Sequence, residues 1–292
     1  MNMPVERGAS VVFLNISKPI SMLRERTSIV ILLFPILAWI IAGGGWFFTI
    51  AIAIVCALAA KEFGQLFQVY QLRPSILLLV LGTLALSIAR YLGGFDLSVP
   101  VLTIICLISM AWHLVDYELG APRSGTDFTI TITGIIYLGW IGSYIISLRA
   151  IPDGKWWFLI ALPSVWLADT AAYFIGSWIG KHKLSPRLSP KKSWEGYLAG
   201  ILAGVLSGTL FALLWRIGAG VDSTVTAVRG LIVGGVLSTL APLGDLGISM
   251  IKREVQVKDT GSLLPGHGGA LDRLDTWIWA GVLGFYLVSW LT

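Results

Sequence analysis

The 292-residue chain is 56% apolar and only 13% charged, with 33 glycines and a mean hydropathy of +0.81. A soluble domain carries about twice that share of charge, and here the apolar residues come in long uncharged runs, which excludes a water-soluble globular core. The formal net charge of +5 reads as membrane topology and affinity for anionic lipids or phosphates, not for nucleic acid.

Residues 1–28 are mixed and polar, with no short apolar core ahead of a small-residue cleavage site; no cleaved signal peptide is expected. Runs of about 18 or more apolar residues are long enough to cross a bilayer. The chain offers about nine candidate spans, at 29–43, 46–60, 75–92, 98–115, 128–148, 156–178, 196–215, 228–250 and 274–291. The expected fold is therefore an all-α polytopic membrane protein. The first two spans are short and joined by Gly43-Gly44-Gly45, which suggests a helical hairpin. Cys56 and Cys106 lie inside apolar runs, without metal-ligand spacing, and read as small buried hydrophobes. Glu62, at the end of the second span, reads as a capped or paired surface acid, with lining the site as the alternative.

Nine spans and a cytoplasmic N-terminus place the C-terminus outside. Of the 21 lysines and arginines, all but Arg90, Arg149, Lys155, Arg216 and Arg229 then face the cytoplasm, the bias that sets orientation in membranes. The chain divides into a cytoplasmic segment 1–28, a transmembrane region 29–150 with little chemistry, and a region 151–292 that carries two polar cytoplasmic segments, 179–195 and 251–273.

Asp169 lies deep in an apolar run, and Tyr173, Gly176 and Gly180 follow on its helical face. The first polar segment then supplies Lys181, Lys183 and Arg187, followed by Ser189-Pro190-Lys191-Lys192-Ser193-Trp194-Glu195-Gly196. Gly196, Gly200, Gly204 and Gly208 recur at every fourth position, a small-residue stripe that permits close helix packing. Asp245 sits inside another apolar run, where an ionised carboxylate is costly unless paired, hydrated or metal-bound. Asp245, Ser249 and Lys252 share one helical face, and Arg253, Lys258 and Asp259 follow. Gly266, Gly268 and Gly269 surround His267, and glycines let backbone N–H groups approach a phosphate. Asp272 and Asp275 open the last span, where the helix dipole favours carboxylates, the hard oxygen ligands that Mg²⁺ takes. Lys252, Arg253, Lys258 and Arg273 surround these acids. Acids to hold a divalent cation and bases to hold phosphate oxygens suit a metal-bound polyphosphate.

The stretch from Ser249 to Asp275 resembles the signature of the phosphatidate cytidylyltransferases, the CDP-diacylglycerol synthases: S-x-x-K-R, four residues, K-D, then P-x-H-G-G-x-x-D-R-x-D. The segments A-D-T-A-A-Y and S-P-K-K-S-W-E-G resemble the same family, so the likeness covers residues 165–275. Ala270 stands where the family usually has a bulkier apolar residue and Thr276 where serine is common. The resemblance implies a nucleotidyltransferase that uses CTP, phosphatidate and Mg²⁺, with Asp245 and Asp272 as metal ligands and a second cation such as K⁺ beside them. It implies a homodimer in a bacterial plasma membrane, with the active site on the cytoplasmic side. On this reading Lys191, Lys192, Lys252, Arg253 and Arg273 share the phosphates of nucleotide and lipid, and Asp169 supports the metal or a basic partner. Ser189, Ser249, Gly268 and Gly269 are assigned to substrate binding. Lys258, Asp259 and His267 complete the catalytic set, His267 orienting its loop more than moving a proton. The rival readings are a CTP-dependent polyprenol or phytol kinase, a membrane transporter, and an inactive paralogue acting as a scaffold.

Overall fold

The computed structural model describes Pro35, residues 37–261 and residues 268–292. The chain forms two compact units, residues 1–42 and 43–292. In the first unit, residues 37–42 are helical; the expected span 29–43 otherwise lies outside the described residues.

Helices dominate: α1 (Gly45–Phe67), α2 (Ile76–Glu118), α3 (Ser124–Gly134), a π-helical turn (Ile135–Ile141), α4 (Tyr144–Ala150), α5 (Gly154–Ile179), α6 (Trp194–Ala219), α7 (Ala227–Leu240), α8 (Pro242–Glu254) and α9 (Leu271–Leu291). Among the described residues, seven helical stretches are long and apolar enough to cross a membrane. The sequence pattern expects nine spans. One lies partly outside the described residues, and the spans at 75–92 and 98–115 form a single 43-residue helix, α2. At about 1.5 Å per residue that is twice what a hydrocarbon core of about 30 Å requires. The helix breaks internally at Gly93 and Gly94; Gly94 has φ 58°, a positive value that favours glycine, so two limbs survive within one run. The span at 228–250 is likewise two abutting helices, α7 and α8, with Pro242 at the first position of α8, where its missing N–H costs nothing.

Arg90, just before the α2 break, is buried and donates from Nε to Ser143 Oγ at 3.2 Å. Its guanidinium carbon lies 3.8 Å from the centre of the Phe95 ring, 4.5 Å from Trp140 and 4.9 Å from Tyr144. A cation removed from water is held there by aromatic faces.

The polar segment 179–195 is more ordered than a loop. Strands β1 (Lys183–Ser185) and β2 (Ser189–Ser193) pair antiparallel, Lys183 opposite Ser193 and Ser185 opposite Ser189. This hairpin is an exception to the all-α expectation. Ser193 then caps α6, accepting from the Gly196 N–H at 3.2 Å.

The glycine stripe brings backbones together. A methyl group at Gly196 would meet the Ala172 carbonyl and the Gly176 backbone, and one at Gly200 would lie 2.9 Å from the Ala168 carbonyl oxygen. Farther along, Gly204 and Gly208 lie against Gly230 and Gly234 of α7. The opposite face of α6, with Leu198, Leu202, Leu206 and Leu210, is exposed, as a lipid-facing side is. Gly234→Ala would push a methyl group into the Gly204 carbonyl; the expected loss is roughly 1–3 kcal/mol, read as a lower unfolding temperature in detergent.

Candidate active site

One cavity of about 860 Å³ lies where α5, the hairpin, the start of α6, α8 and α9 meet, within the usual range for ligand sites of about 300–1,000 Å³. Helix α5 contributes Trp166, Asp169, Tyr173 and Gly176, so the face read from the sequence does line a cavity. The hairpin contributes Lys183, Ser189, Lys191 and Lys192. Helix α8 contributes Asp245, and α9 contributes Asp272, Arg273, Asp275 and Trp277. Trp166 and Trp277 pack together across the wall, ring centroids 5.2 Å apart.

Two of the acids sit where their helices favour them. Asp245 lies in the first turn of α8 and Asp272 in the first turn of α9, at the positive ends of the helix dipoles. Lys192 Nζ stands 2.5 Å from Asp245 Oδ2, and Ser249 Oγ donates to Asp245 Oδ1 at 3.5 Å. Asp272 is more enclosed. Lys252 Nζ lies 2.7 Å from its Oδ1; its Oδ2 accepts from Thr260 N at 2.9 Å, Thr260 Oγ1 at 3.0 Å and Gly269 N at 3.1 Å. Asp275 is buried, with Oδ1 accepting from Thr276 N at 2.6 Å and Thr276 Oγ1 at 3.1 Å.

The remaining expected site residues divide. Lys252 and Gly269 reach the centre through Asp272, and Ser249 through Asp245, though none of the three lines the cavity. Arg253 does not line it either: its Nε donates to the Leu188 carbonyl at 3.3 Å, which braces the hairpin. Gly268 adopts φ 79°, a conformation suited to glycine. Lys258 and Asp259 are exposed and outside the cavity wall, beyond the turn at Gln256 (φ 56°) that follows α8. His267 lies outside the described residues.

Sequence reasoning misplaced one acid. Glu62 is not a surface residue: it is 7% exposed. Its Oε1 accepts from Ala270 N at 3.0 Å, and its Oε2 accepts from Leu271 N and Thr260 Oγ1, both at 3.0 Å. The signal was available, because an acid inside an apolar helix is the criterion that singled out Asp169 and Asp245. Its partners lie about 200 residues away, beyond any local pattern.

Among the described residues, no three His, Cys, Asp or Glu side chains form a ready metal cluster. The donor chemistry nevertheless fits a divalent cation. Carboxylate oxygens are the ligands such ions prefer, and lysine ammonium groups stand directly on Asp245 and Asp272, marking both acids as sites that draw positive charge. Lysines on flexible stems can turn from these acids to phosphate oxygens.

The sequence profile of the cytidylyltransferase family matches residues 24–291. The phosphatidate cytidylyltransferase of Synechocystis sp. is 31% identical, over 84% of this chain and 89% of that protein. The phosphatidate cytidylyltransferase of Staphylococcus saprophyticus is 30% identical, and that of Staphylococcus aureus 29%, each over 88% of this chain and 95% of the relative. With the match running over nearly the whole chain and through every element that lines the cavity, the chain belongs to the cytidylyltransferase family.

Proposed function

We propose that this protein transfers CMP from CTP to phosphatidate, giving CDP-diacylglycerol and pyrophosphate. The observation that carries this reading is the shared cavity, where a basic hairpin with Lys191 and Lys192 faces the acids Asp169, Asp245, Asp272 and Asp275, in a chain whose relatives are named for that activity.

The phosphate monoester of phosphatidate has a second pKa near about 6, so it is largely a dianion at neutral pH and needs no strong general base. One of its oxygens bonds to the α-phosphorus of CTP, the α–β bridge breaks, and pyrophosphate leaves with that electron pair. The obstacle is charge repulsion between two polyanions. Lys191, Lys192 and Arg273 line the cavity and take the phosphate oxygens of both substrates, the arginine with a planar fork and the lysines as mobile point charges. Mg²⁺, when held by Asp245 and Asp272, supplies further charge neutralisation and alignment. Asp169 and Asp275 hold the basic side chains in place around the phosphates.

The reading includes nine spans, a cytoplasmic N-terminus and an external C-terminus in a bacterial plasma membrane, which puts the cavity mouth where CTP is found. The basic-residue asymmetry supports that orientation. It also includes a second cation such as K⁺ and a homodimer, as the family resemblance implies.

Purified protein given CTP, phosphatidate and Mg²⁺ is expected to release pyrophosphate and form CDP-lipid one to one. CDP together with a phosphorylated lipid alcohol would instead mark a kinase. Uptake into sealed vesicles without product would mark a transporter.

A further inference from the structure

Helix α1 carries no residue that lines the cavity, yet it reaches the centre of the site through one side chain. The Glu62 carboxylate receives the N–H groups of Ala270 and Leu271, each at 3.0 Å, at the entry of α9. It also meets the Thr260 hydroxyl at 3.0 Å. That same hydroxyl lies 3.0 Å from Asp272 Oδ2, and the Thr260 N–H donates to Asp272 at 2.9 Å. A threonine hydroxyl has one proton, so it links the two carboxylates as a single bridge.

The packing leaves the network little slack. A β-carbon on Gly269 would collide with Glu62 Oε2 and with Thr260 Oγ1, and one on Gly261 would come within 2.6 Å of Glu62 Oε1. Both glycines fix how closely the chain before α9 wraps the acid. Two carboxylates joined by one hydroxyl repel each other. The arrangement persists because Glu62 takes two backbone N–H groups at the helix's positive end, while Asp272 takes the Lys252 ammonium and the Gly269 N–H.

We propose that Glu62 is a positioning residue for the transfer reaction: it anchors the start of α9 and Thr260, and through them fixes where the Asp272 carboxylate points. The proposal rests on the cytidylyltransferase reading for its kinetic arm only. A shift of about 1 Å at a reacting centre, caused from a distance, costs on the order of 10²-fold in rate.

The test compares wild type with Glu62→Gln and Glu62→Ala, all shown by size exclusion to be folded in detergent. Gln keeps the shape but turns an NH₂ towards backbone donors. Both variants are expected to lower kcat about 10²-fold, with KM for CTP within about 3-fold because no nucleotide contact is removed. Hydrogen exchange, which needs no activity, reads the anchor directly: amides 269–271 are expected to exchange at least about 10-fold faster in both variants. Variants that lose thermal stability but retain wild-type kcat would make Glu62 merely structural and overturn the proposal. Unchanged exchange at 269–271 would overturn it as well. If wild type forms no CDP-lipid, the proposed function fails while the exchange comparison still decides the anchor.

Discussion

Asp272→Asn is expected to remove activity and to weaken the fold together. The carboxylate serves four partners at once: Lys252 on Oδ1, and Thr260 N, Thr260 Oγ1 and Gly269 N on Oδ2. An amide carries one oxygen. Whichever way Asn turns, its NH₂ faces either the Lys252 ammonium or three donors, and the half-buried ammonium loses its counter-charge. Breaking one side of an enclosed pair costs about 3 kcal/mol. Turnover is expected to fall by at least about 10³-fold, since on the proposed reading the substitution removes both a cation ligand and the charge that places Lys252. Differential unfolding and pyrophosphate release, measured on one preparation, check both parts. A folded variant with more than a tenth of wild-type activity would rule out a direct role for Asp272.

Asp245→Asn separates the two effects. Asp245 has the Lys192 ammonium and one long hydrogen bond from Ser249, and the Asp245 and Lys192 side chains are 31% and 29% exposed. Exposed pairs contribute about 0–1 kcal/mol, so the unfolding temperature should move little. Turnover should still fall about 10³-fold, because the amide oxygen is a far poorer partner for a divalent cation than a carboxylate. Raising Mg²⁺ should recover part of the activity in Asp245→Asn more readily than in Asp272→Asn, where the surroundings are also disturbed. Mg²⁺ titrations of both variants give the comparison.

The membrane character and most spans were legible because lipid imposes length and polarity on each helix separately. That Asp169 and Asp245 line one cavity was foreshadowed for a related reason: acids in apolar runs are costly enough to stand out. What escaped were properties of pairs. The α2 merger depends on backbone continuity through Gly93 and Gly94, which the hydropathy of two adjacent runs does not report. The hairpin depends on Lys183 finding Ser193 in a segment too short and polar to announce itself as strand. Glu62 was visible as an acid, but its meaning came from Thr260, Ala270 and Leu271 at the far end of the chain. Lys258 and Asp259 match the family pattern and still lie off the cavity wall, because a one-dimensional motif orders residues without aiming their side chains.

The glycine contacts along α6 also set how one wall of the cavity is built. Gly196 meets Gly176 on α5, and Gly204 and Gly208 meet Gly230 and Gly234 on α7, with small side chains such as Ser238 and Ala212 beside them. Contacts this close leave α5, α6 and α7 little room to slide past one another. Helices α8 and α9 touch in the same manner, Gly244 against the Asp275 carbonyl. One closely packed group carries the basic hairpin through the Ser193 cap, and the other carries Asp245 and Asp272. The distance between bases and acids is therefore set first by how two helix groups pack and only then by the reach of the lysine stems.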